Sequence, residues 1–84
     1  SLPDKVQFIK FTAETRSSGV DLPDGARIRK GAFDSIKNLV VNAGNNFPIE
    51  MKEKVEFISK NGGTPLVVSE NEKVCGVIEL QDII

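Results

Sequence analysis

Hydrophobic and polar positions alternate before Phe11 and on both sides of Leu22-Pro23-Asp24-Gly25. They switch to helical spacing after Gly31 and return to strand-like runs after Gly63. Residues 6–11 read as a short strand with Val6 and Phe8 on one side and Ile9 and Phe11 on the other. Leu22-Pro23-Asp24-Gly25 reads as a type I turn: Pro presets φ at the second position, Asp suits the third, and Gly closes a three-residue loop in the left-handed region. That loop sets a register. If Leu22 pairs with Ala26, Val20 faces Ile28 and Ser18 faces Lys30. One hairpin face then carries Ser18, Val20, Leu22, Ala26, Ile28 and Lys30, and reads as the core side. The other, with Gly19, Asp21, Arg27 and Arg29, reads as solvated.

After the hairpin, Phe33, Ile36, Leu39 and Val40 recur at helical spacing, predicting a helix over residues 32–43 that stops at Gly44. Pro48 suits the first turn of a second helix, with Met51, Val55 and Ile58 on its buried side, Phe57 beside them, and Asn61-Gly62-Gly63 ending it. Its alternating Glu and Lys residues read as a solvated face. Residues 64–69 and 74–80 are β-branched and predict two further strands joined by a polar turn at 70–73. The expectation is one α+β domain over residues 1–84, an antiparallel sheet of about five strands in the order β-β-β-α-α-β-β, packed against two helices.

Composition narrows the chemistry. The chain has 84 residues, no His and one Cys, which excludes zinc sites of the usual kind and His-based triads. Cys75 lies in the apolar run Val-Cys-Gly-Val-Ile and reads as a buried structural residue, reduced as in the cytoplasm. The net charge of −1 gives no general attraction to nucleic acid. Residues 1–31 nevertheless hold six Lys/Arg against four Asp/Glu, and residues 32–84 five against eight, so the positive excess sits with the hairpin and suits a small anion. No apolar run is long enough to cross a bilayer, and a start without Met, close to a strand, reads as a piece of a longer chain.

Candidate chemistry gathers in residues 11–31. Lys30 ends an apolar row, so its ammonium either snorkels to water or meets an anion. Gly31 either ends a strand or lets a ligand approach the backbone closely. Phe11 reads either as core or as a platform for a base, a contact worth roughly 1–3 kcal/mol. Gly62-Gly63 lacks the following Lys-Ser or Lys-Thr of a phosphate-binding P-loop.

Four motifs, in order, carry a resemblance: Phe-Thr-Ala-x-x-Arg-x-Ser-Gly at 11–19, Ile-Arg-Lys-Gly at 28–31, Gly-Thr-Pro-Leu-Val-Val at 63–68, and Gly-Val-Ile-x-Leu-x-Asp-Ile at 76–83. From about residue 6 to 84 the chain resembles the C-terminal part of the nucleotide-binding domain of P-type ATPases, most closely in the B subunit of bacterial Kdp potassium-importing ATPases. The resemblance implies that Phe11 stacks on adenine and Lys30 contacts the nucleotide. It implies that Ser18 and Gly31 line the pocket with Arg16 beside it. It further implies ATP as ligand with Mg²⁺ held mainly through the nucleotide and a separate domain. Implied partners are the phosphorylation and actuator domains and the other Kdp subunits, and the implied location is the cytoplasmic side of a membrane protein. The Pro23-Asp24-Gly25 turn looks one residue longer than in those relatives. The stretch lacks the Asp-Lys-Thr-Gly phosphorylation motif and the Thr-Gly-Asp-Gly-x-Asn-Asp magnesium motif, so it is expected not to hydrolyse ATP alone. Two other classes compete. Residues 64–84 also resemble the closing half of a CBS module, which senses adenine nucleotides, although Glu79 stands where Ser or Thr is usual. A purely structural interaction domain would show no nucleotide response.

Overall fold

A three-residue loop organises the first half of the sheet. In the computed structural model, which describes residues 5–80, the Gly25 amide donates to the Leu22 carbonyl at 3.0 Å and the Leu22 amide to the Ala26 carbonyl at 2.9 Å. Asp24 Oδ1 accepts from the Ala26 amide at 2.9 Å, and Gly25 has φ +93°. The turn is therefore the one expected from Pro-Asp-Gly. It sets strand β2 (Ser17–Asp21) against β3 (Arg27–Gly31) with Ser18 opposite Lys30 and Val20 opposite Ile28, the register the sequence implies.

Strand β1 (Gln7–Ile9) pairs with β2, Phe8 opposite Val20. Helices α1 (Phe33–Asn42) and α2 (Ile49–Lys60) follow, then β4 (Thr64–Glu70) and β5 (Lys73–Leu80). The five strands form one antiparallel sheet in sequential order, so the α+β expectation and its element order hold. Each helix ends as its glycine suggests. Gly44 N–H donates to the Val41 carbonyl and Asn45 N–H to that of Val40; Gly62 and Gly63 N–H groups do the same for Ser59 and Ile58. These paired bonds satisfy carbonyls left over at a helix end.

The core is small. Ile36, Val40, Val55 and Val67 are buried, with Phe33, Phe47, Val74 and Val77 packed against them. Met51, Ile58 and Leu39 are half-buried, but Phe57 is 69% exposed and contributes little.

Two expectations are corrected here. Val67 and Ser69, both fully buried, pair with Gly31 and Arg29. Alternation along the strands therefore puts the helices over the face that carries Gly19, Asp21, Arg27 and Arg29, the one read as solvated. The row Ser18, Val20, Ile28, Lys30 lies on the face the helices leave open. Arg29 is tolerated on the covered side because Nη1 donates to Asp21 Oδ1 at 2.8 Å and to the Ile28 carbonyl at 2.9 Å, leaving no unpaired buried charge. Cys75 is the second correction: it is exposed. Val68 pairs with Gly76 while Ser69 pairs with Val74, so Cys75 is the extra residue of a β-bulge and leaves the alternation that would have buried it.

The β4–β5 turn is tighter than the polar run suggests. Asn71 and Glu72 have φ +51° and +61°, the conformation of a two-residue hairpin loop. The turn is tied back to β3: Arg27 Nε and Nη2 donate to the Glu72 carboxylate at 2.9 and 2.5 Å, and Asn71 Oδ1 accepts from the Arg27 amide at 2.9 Å. The hydrogen bond from Arg27 holds the Glu72 carboxyl below its ordinary value of 4.5. A depressed folded-state pKa means that the pair's stabilisation is present above the ordinary value and is lost as pH falls through the folded one. Denaturation midpoints are thus expected to fall on acidification below about pH 4.5. Glu72→Gln should lower the midpoint at neutral pH and flatten that part of the acid profile.

Candidate functional site: a cleft on the open face of the sheet

The open face carries a cleft of about 530 Å³. Phe8 on β1, Val20 on β2, Ile28 on β3, Val68 on β4 and Ile78 on β5 line it with apolar surface, and Ser18 and Lys30 supply polar groups. The cross-strand ladder explains the grouping. Phe8, Val20 and Ile28 form one row, and Ser18, Lys30, Val68 and Gly76 form the next. The apolar wall thus ends at a hydroxyl and an ammonium directly opposite each other. A flat apolar ring could lie on the first row with an anionic group at Lys30. That combination of mostly apolar lining and a few convergent polar groups is typical of small-molecule sites.

The other three candidate residues lie elsewhere. Phe11 is 63% exposed, beyond the end of β1, and is not among the residues lining the cleft. It opens the polar connection to β2, which folds on itself: Thr12 Oγ1 accepts from the Thr15 amide at 3.0 Å, and the Arg16 amide donates to the Thr12 carbonyl at 2.7 Å. Arg16 takes a left-handed conformation, φ +50°, and its guanidinium pairs with Asp34 in the first turn of α1. That bond holds the Asp34 carboxyl below the usual carboxylate range. Gly31 is buried opposite Ser17 on the helix-covered face, and a Cβ there would meet the Arg16 carbonyl oxygen and come within 2.7 Å of Ser17 Cβ. The structure therefore brings Ser18 and Lys30 together on one face, and Gly31, Arg16 and Asp34 together beneath the Phe11 loop.

Phe8, Val68 and Ile78 are cleft residues that periodicity alone did not mark. Phe8 needed the pairing of β1 with β2, which the β2–β3 turn does not set. Val68 and Ile78 needed the pairing of β3 with β4, which spans both helices. Among the described residues, no group of three or more His, Cys, Asp or Glu side chains is placed to hold a metal ion.

The sequence that builds this cleft has close counterparts. The chain is homologous to a segment of the ATP-binding subunits of potassium-transporting ATPases. Over 78 residues it is 59% identical to the potassium-transporting ATPase ATP-binding subunit 2 of Listeria innocua, a match covering 93% of this chain and 11% of the relative. Over 83 residues it is 47% identical to the potassium-transporting ATPase ATP-binding subunit of Bacillus cereus, covering 99% of this chain and 12% of the relative. The Bacillus thuringiensis subunit matches at the same 47% and the same coverage. The chain therefore spans about one eighth of the length of these relatives. No protein-family model matches the chain. No helix among the described residues is long and apolar enough to cross a membrane.

Proposed function

We propose that the chain is the part of a potassium-transporting P-type ATPase that binds the adenine end of ATP, the C-terminal portion of its nucleotide-binding domain. The observation that carries this reading is the Ser18–Lys30 pair closing one end of an apolar cleft. Adenine lies against the apolar floor and stacks on the ring of Phe11. Ser18 supplies a hydrogen bond, and Lys30 pairs with the nucleotide. Arg16 and Gly31 position the Phe11 loop from below. Mg²⁺ comes with the triphosphate and is held mainly outside this stretch.

The chain's task in transfer is orientation. Holding ATP in one pose converts attack on the γ-phosphate by an aspartate of the separate phosphorylation domain into an effectively intramolecular step. The phosphorylation and actuator domains and the other subunits of the potassium-importing complex are its partners, on the cytoplasmic side. The stretch alone does not hydrolyse ATP.

The test is a ¹⁵N amide titration with ATP on the folded protein and on Phe11→Ala. Shifts clustered at Phe11, Ser18 and Lys30, with affinity reduced roughly tenfold in the variant, are expected. Shifts confined to residues 64–80 would favour a CBS-like nucleotide sensor instead, and a flat titration with the flanking regions restored would sink the nucleotide reading.

A further inference from the structure

The helix-covered side carries a second concavity. Where the loop between α1 and α2 folds back, a groove of about 570 Å³ opens between the two helices, a volume suited to a small organic ligand. Its floor is aromatic: Phe33 and Phe47 meet edge to face with ring centroids 5.1 Å apart and planes at 79°. Two cations border it. Lys37 Nζ stands 5.6 Å from the Phe33 ring centroid, and Lys52 belongs to the first turns of α2. Among the described residues lining the groove there is no carboxylate. The bias is local, since residues 32–84 as a whole are acidic. On the rims, Val41 and Ile49 are 50% and 71% exposed, so the apolar surface continues from the floor to the edge of the groove.

We propose that this groove is a binding site for a small anion with a flat apolar body, of the aromatic carboxylate or sulfonate class. Such a ligand covers Phe47, Val41 and Ile49 with its ring and places its charge between Lys37 and Lys52. The ammonium of Lys37 is held over the face of Phe33, so less side-chain freedom is lost when it meets an anion. A neutral aromatic satisfies only the floor, and a simple inorganic anion only the lysines. The groove and the open-face cleft lie on opposite sides of the sheet, so the proposal stands independently of the nucleotide reading.

The test uses naphthalenesulfonate as probe, titrated into the ¹⁵N-labelled protein with and without ATP, beside neutral naphthalenemethanol. Shifts are expected at Phe33, Asn45, Phe47 and Ile49, unchanged by ATP, with the neutral analogue roughly tenfold weaker. The double variant Lys37→Gln/Lys52→Gln, whose exposed substitutions leave the core intact, should weaken the sulfonate to the level of the neutral analogue. Equal binding of the two probes, or an unaffected double variant, would overturn the assignment of an anion. Shifts confined to Val20, Ile28 and Val68 would overturn the site itself, and tighter binding by an extended acidic peptide would overturn the small-ligand class.

Discussion

Gly31→Val is expected to destabilise the fold by about 3 kcal/mol, while Lys30→Ala, its immediate neighbour, leaves stability nearly unchanged and weakens ATP binding. The two residues point to opposite faces of β3. Gly31 is buried under the Arg16 carbonyl and Ser17, and any Cβ must push the start of β2 away from β3. The neighbours that would have to yield are backbone or atoms next to it, not the end of a flexible chain. The Ala32 amide also donates to the Arg16 carbonyl at 3.2 Å, so displacement would cost that bond too. Lys30 is exposed, and its substitution removes a cation from the cleft without touching the core. Urea denaturation with an unchanged slope separates the effects: a lower midpoint for Gly31→Val, and a wild-type midpoint with fewer ATP-induced shifts for Lys30→Ala. A Gly31→Val protein that kept its midpoint would show that the approach of β2 to β3 is looser than described.

That contrast marks what the sequence could convey. Pro23-Asp24-Gly25 specifies loop length and turn type within a few residues, and the hairpin register follows from them without any knowledge of the rest of the chain. Placing Ser18 opposite Lys30 was therefore a local deduction. Which face meets the helices is not local. Val20 and Ile28 look like core because they are apolar, and Arg27 and Arg29 look solvated because they are charged. The sheet is nevertheless covered on the arginine side, because the helices pack on Val67, Val74 and Val77 of β4 and β5, which share that face, and Asp21 neutralises Arg29. Apolar residues of β4 and β5 decided the face, and the hydropathy of the hairpin alone did not show it. Cys75 failed for a related reason: one extra residue in β5 shifts the side-chain alternation, and a bulge leaves little trace in a run of small apolar residues. In the candidate site, the hairpin pair was legible, and the contribution of β4 and β5 was not. Those strands reach β3 only after two helices, and their register depends on where the bulge falls.

Ile36→Ala is expected to have the largest effect of any single truncation in α1, costing about 2–5 kcal/mol. Only four apolar residues are buried among those described, and Ile36 is one of them at 1% exposure, in a cluster with Val40, Val55 and Val67. A domain of this size has a total stability of roughly 5–15 kcal/mol at best, so the loss is a large fraction of the whole. Ile36 belongs to a cluster drawn from α1, α2 and β4, so the cavity is not closed by one element moving alone. Phe57→Ala removes a larger side chain from α2, yet it should change stability by no more than about 0.5 kcal/mol, because Phe57 is 69% exposed. Thermal unfolding of the two variants beside the wild type checks both. If Phe57→Ala proved as damaging as Ile36→Ala, Phe57 would be packed rather than exposed, and the core would extend beyond these four residues.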